Sequence, residues 1–102
     1  MAYLLRFVQK FRPDQRDAFL ELERKFIELE QATPEFPKGK RYTPYSGRES
    51  TNTLIWECEF ATLADAQEAL SFLEGDARHE TLYRQQVPYF LEAYTEIYQS
   101  IN

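Results

Sequence analysis

The spacing of apolar residues switches along the chain between two and three-to-four, and the order of those switches restricts the fold more than any other feature. Tyr3, Leu5, Phe7 and Phe11 alternate with Leu4, Arg6, Val8 and Lys10, the period of a strand. Pro13 then stops the strand and suits a first helical turn, with Asp14 and Asp17 at the positive helix end. Phe19, Leu22, Phe26 and Leu29 follow at helical spacing, with Glu21, Arg24, Lys25 and Glu28 facing outward, which predicts an amphipathic helix of about five turns. Thr33-Pro34 and Phe36-Pro37 end it, because a residue before proline is pushed out of the helical region.

The second half repeats the scheme. Gly39 and Gly47 bracket a strand from Lys40 to Ser46, which Pro44 confines to a sheet edge. Arg48 to Asn52 is turn material. Thr53 to Phe60 has the strongest β character, with Leu54, Trp56, Cys58 and Phe60 on one side and Thr53, Ile55, Glu57 and Glu59 on the other. Thr62, three residues before Asp65, reads as the N-cap of a helix whose apolar stripe is Leu63, Ala66, Ala69, Leu70 and Leu73. Gly75 and Asp76 break that helix and start a further helical segment ending near Val87-Pro88. A last strand runs from about Leu91 to Ile101.

A chain of 102 residues suits one domain, over 1–102. The 43% apolar and 16% aromatic residues favour a packed core over disorder. A net charge of −5 argues against nucleic acid as a partner. Lys38, Lys40, Arg41 and Arg48 do bunch, with Tyr42 and Tyr45 between them, but read better as a solvated hairpin than as a base-stacking platform. Cys58, the only cysteine, excludes an intrachain disulfide and reads as a small buried hydrophobe. Arg6 interrupts the first apolar run, which is therefore a strand rather than a signal peptide. No segment reaches the ~20 apolar residues of a membrane span. The expectation is a cytoplasmic protein with no membrane partner.

Strand, helix, strand, strand, helix, strand is the split βαβ arrangement. It predicts an α+β, ferredoxin-like βαββαβ fold with a four-stranded antiparallel sheet in the order 4-1-3-2. The two main helices should cover Tyr3, Leu5, Phe7, Leu54, Trp56 and Cys58. The other face would carry Leu4, Arg6, Val8, Ile55, Glu57, Tyr94, Glu96 and Tyr98. That face is too apolar to stay wet and too charged for an ordinary core, so a second copy of the chain is its expected cover. Arg6, on the central strand, could reach Glu57 on one neighbour and Glu96 on the other; the alternative leaves all three at a wet rim.

The order of elements, the Trp56 strand followed by Ala61-Thr62-Leu63-Ala64-Asp65-Ala66, and the final strand resemble the dimeric α/β-barrel superfamily. The segment Leu54-Ile55-Trp56-Glu57-Cys58-Glu59-Phe60 is similar in particular to NIPSNAP-like members. The resemblance implies a homodimer whose two sheets join into a barrel, with a cavity in each subunit between sheet and helices. Cofactor-free monooxygenases, small-ring isomerases and haem enzymes all occur in that superfamily, and fold alone does not choose among them.

His79, the only histidine, is the candidate catalytic base, and it shares a helical side with Tyr83 and Gln86 that could line a pocket. The charged run Asp76 to Glu80 favours an exposed His79 instead. The candidate ligand-binding residues are Arg6, Trp56, Glu57, Tyr83 and Tyr94, with Arg6 and Tyr94 orienting an anionic or phenolic ligand. Glu57 and Glu59 share a strand face, where they could crowd into a proton-transfer pair or simply pair with Arg6, Lys10 or a partner's cations. One His, one Cys and scattered carboxylates predict no metal site, and three distant glycines disfavour nucleotides. No cofactor is expected. The leading functional expectation is a small-molecule binder, a cofactor-free monooxygenase or isomerase acting on an aromatic or polyketide-like compound. A non-catalytic dimerisation module is the alternative, and a haem-handling enzyme the third.

Overall fold

The computed structural model describes residues 2–101. It contains strands β1 (Tyr3–Phe11), β2 (Lys40–Tyr42), β3 (Thr53–Phe60) and β4 (Phe90–Gln99), and helices α1 (Arg16–Ala32), α2 (Leu63–Gly75) and α3 (Ala77–Gln86). The sheet is antiparallel with the order β2-β3-β1-β4, the expected ferredoxin-like arrangement. Register follows the alternation of side chains. Arg6 pairs with Glu57 on β3 and Glu96 on β4, while Leu5 pairs with Cys58 and Ile97. A one-residue slip would send every apolar side chain to the wrong face.

Three details differ from the sequence reading, each for a local reason. β2 spans three residues instead of seven, since Pro44 has no N–H to donate and the chain leaves the sheet before reaching it. β4 begins at Phe90, opposite Phe11, and Leu91 is the extra residue of a bulge between the pairs Phe11–Phe90 and Lys10–Glu92. Leu63, expected in the α2 stripe, is 41% exposed at the first position of that helix. The caps are as read: Thr62 Oγ1 accepts from Asp65 N at 3.1 Å, and Asp76 Oδ1 accepts from Arg78 N and His79 N at 2.9 and 3.1 Å.

The core divides into two clusters. Leu5, Phe36, Trp56 and Leu73 form one, with Phe7, Leu29, Leu70 and Ile97 at its margin. Phe11, Phe19 and Leu54 form the other, where Phe11 and Phe19 stack at 4.5 Å. Cys58 is only half-buried beside the first cluster, its thiol pushed up by burial and then by Glu30. The connection from α1 to β2 is pinned by Lys38, whose Nζ donates to the carbonyls of Glu30, Thr33 and Phe36 at 2.5, 2.7 and 2.9 Å. The Glu30 carbonyl is close to those that a helix end leaves to water, and the other two belong to the turn that follows. The basic bunch of the sequence is thus partly spent on the protein's own backbone.

Gly39 follows at once, because Trp56 occupies the place of a side chain there. A Cβ on Gly39 would lie 2.1 Å from the indole ring. Gly39→Ala should therefore destabilise the fold by about 1–3 kcal/mol, the usual cost of overpacking, and shift the emission of Trp56, the only tryptophan. Equilibrium unfolding followed by fluorescence checks this, and an unchanged midpoint would contradict the packing described.

Candidate functional site

α1 carries the site because its buried stripe is not the one its leucines suggest. Phe19, Glu23, Phe26 and Glu30 are the buried residues, spaced four, three and four, while Leu22 and Leu29 lie only half inside. Two carboxylates turned toward the sheet require partners, and Arg41 on β2 supplies them. Its Nε donates to Glu23 Oε2 at 2.6 Å and its Nη1 to Glu30 Oε2 at 3.2 Å. The three side chains are 16%, 9% and 10% exposed. Trp56 Nε1 donates to Glu30 Oε1 at 3.0 Å, and Gln86 Nε2 to Glu23 Oε1 at 3.1 Å. One network thereby ties α1, β2, β3 and α3 together.

Beside the network, between sheet and helices, lies a cavity of about 450 Å³. Phe7 and Trp56, stacked at 5.0 Å, give it an aromatic wall, and Phe26, His79, Tyr83 and Gln86 line it from the helices. His79 packs on Phe26 at 5.0 Å and lies parallel to Tyr83 at 6.5 Å. Burial lowers the His79 pKa below 6.5, and Asp76 and Glu80 only partly oppose that. Its place three residues into α3, at the positive helix end, also disfavours a cation. The imidazole is consequently neutral at pH 7 and able to accept a proton. The charged run that suggested an exposed His79 is used elsewhere. Asp76 caps α3 and binds Arg78 (2.7 Å), which with the helix N–H bonds holds its carboxyl down to about 2.

The sequence-derived site residues divide between the two faces of the sheet. His79, Trp56 and Tyr83 meet at the cavity. Arg6 and Glu57 lie on the opposite face, so they do not reach a ligand held beside His79. There Arg6 donates to Glu57 at 2.8 Å, Glu96 at 2.9 Å and Tyr98 OH at 3.0 Å, with its guanidinium 4.9 Å from the Tyr98 ring centre. The ion-paired alternative for Arg6 is the one found. Tyr94 stands beside Val8 on that face, at an edge strand that also borders the cavity. Its hydroxyl is pushed up by burial and by Glu49, Glu96 and Glu92, against Arg6, and so stays protonated at neutral pH. Among the described residues no cluster of three or more His, Cys, Asp or Glu could hold a metal ion. No described helix is long and apolar enough to cross a membrane.

Glu23, Glu30 and Arg41 are the residues that sequence reasoning missed. The four-three-four spacing with Phe19 and Phe26 was the available signal. Arg41→Met would leave two buried carboxylates without their cation, which typically costs about 3–5 kcal/mol. Urea unfolding at pH 7 should register a loss of that size; a loss below about 1 kcal/mol, the value of an exposed pair, would mean that Arg41 lies in water.

No family model matches the chain, and no curated protein matches its sequence. Solved structures do match. A NIPSNAP family protein from Agrobacterium tumefaciens superposes with a TM-score of 0.79 at 16% identity, covering 100% of this chain and 95% of that one. A NIPSNAP domain protein from Burkholderia xenovorans gives 0.76 at 13% identity, over 98% and 94%. A structure described as an antibiotic biosynthesis monooxygenase gives 0.73 at 12% identity, over the full length of both chains. Identities this low speak for architecture alone. In architecture the chain is a ferredoxin-like α+β domain, similar to NIPSNAP and antibiotic biosynthesis monooxygenase structures.

Proposed function

We propose that this chain is a homodimeric protein that binds a small aromatic molecule between its helices and sheet and uses His79 as a base upon it. The observation that carries the reading is the cavity itself: a neutral, half-buried imidazole faces a space of about 450 Å³ walled by Phe7, Trp56 and Tyr83. A domain serving only as a dimerisation module has no need of such a space. In this reading Trp56 and Phe7 hold the flat ring. His79 takes a proton from an acidic C–H or O–H of the ligand, and Asp76 and Glu80 favour the imidazolium that results. The product of that step is an electron-rich ligand anion, the species that isomerises by reprotonation elsewhere or reacts with dioxygen without a cofactor. A fold neighbour described as an antibiotic biosynthesis monooxygenase is consistent with the second course.

The second sheet face supports self-association. Val8 is already 2% exposed between Ile55 and Tyr94, while Tyr94 beside it and Tyr98 beside Leu4 remain 38% and 48% exposed. Arg6, Glu57 and Glu96 satisfy one another within the chain, so a copy of the face can cover these three without stranding their charges.

His79→Ala should abolish turnover of an aromatic substrate while leaving the dimer intact by light scattering, and the pH–rate profile should show an acid limb set by His79. That limb, for the unaltered protein, should fall as pH drops through the His79 pKa, below 6.5. Full activity of the variant would rule out the base, and a stable monomer at micromolar concentration would rule out the dimer.

A further inference from the structure

We infer that the cavity selects ligands that carry an N–H or O–H donor and no negative charge, and that Gln86 is the residue that selects them. The inference rests on the cavity being a ligand site, as proposed above. Gln86 is 0% exposed and lines the cavity. Its amide nitrogen is spent on Glu23, but Oε1 has no partner among the described residues. A buried acceptor left without a donor costs about 1–3 kcal/mol, and such groups are rare in folded proteins. Within the network Arg41 Nε and Nη1 donate to Glu23 and Glu30 and Trp56 Nε1 donates to Glu30, and none of these reaches Gln86 Oε1. A donor on the ligand is what the arrangement lacks. The terminal torsion of a glutamine is soft, so the amide can adjust to a donor in the cavity.

Charge points the same way. Glu23 and Glu30 line the cavity and share one guanidinium, Arg41, which leaves one buried carboxylate charge in excess, while Glu80 is paired with Arg84 and Glu74 is exposed. An anionic ligand would meet that excess charge where water screens little. An uncharged ring with a polar hydrogen meets aromatic faces at Phe7 and Trp56 and, once the buried Gln86 amide turns toward it, an unpaired acceptor. The anionic ligand expected from Arg6 has no support here, since Arg6 lies across the sheet.

The test uses three probes that share one bicyclic ring: indole, 1-methylindole and indole-3-acetate. Binding to the intact, nitrogen-15-labelled protein is followed by NMR at the side chains of Gln86 and Trp56. Indole should bind about tenfold more tightly than 1-methylindole, the value of one buried hydrogen bond that would otherwise go unmade. Indole-3-acetate should bind more weakly than indole. In Gln86→Met the preference for indole over 1-methylindole should shrink to about twofold or less. The comparison within the unaltered protein stands even where that variant fails to fold. Equal affinity for indole and 1-methylindole, or tightest binding of indole-3-acetate, would overturn the inference while leaving the cavity a ligand site. No shift at either side chain with any probe at millimolar concentration would overturn both.

Discussion

Two carboxylates on the inner face of α1 set the terms for everything around them. Glu23 and Glu30 occupy positions where a helix against a sheet ordinarily places leucine, and burying them is tolerable only because Arg41, Trp56 and Gln86 all donate to them. The demand reaches outward. It draws the short strand β2 into register with β3, holds the Trp56 ring over Gly39, and fixes Gln86 at the end of α3. An all-aliphatic stripe could have closed the gap between helix and sheet. A polar network of fixed geometry fills less of it, and the cavity with its neutral histidine lies alongside.

The two faces of the sheet solve one problem differently. On the inner face, charge is buried and satisfied by partners from four elements. On the outer face, Arg6 is satisfied within the sheet by its cross-strand neighbours Glu57 and Glu96 and by Tyr98, leaving Leu4, Ile55 and Tyr94 as the unspent apolar surface. This separation gives each face its own task. In the reading proposed above, the inner face would offer chemistry and the outer one a surface for a second copy, and a change on one need not disturb the other.

Much of this was legible in the residues. The alternation on β1 and β3 disclosed both faces of the sheet, and the charges on it were sufficient to name the Arg6, Glu57 and Glu96 triplet. The caps at Thr62 and Asp76, and the side shared by His79, Tyr83 and Gln86, could also be read directly. What escaped was where charge would go when it left the surface. Glutamates are so seldom buried that Leu22 and Leu29 were the natural choice for the α1 stripe, although Glu23 and Glu30 keep better step with Phe19 and Phe26. Arg41 escaped for the same reason. Its destination depends on a tertiary partner eleven and eighteen residues away, and no local pattern marks it. His79 was ambiguous because its charged neighbours could have been solvated; they are instead occupied in capping α3.

The most direct measurement is an NMR titration of the His79 imidazole, unambiguous because the chain has a single histidine. A midpoint below 6.5 would show the ring desolvated at the cavity wall and unprotonated at neutral pH, as this account requires. A midpoint at or above 6.5 would place it in water or beside a dominant carboxylate, and the proposed base would lose its physical footing.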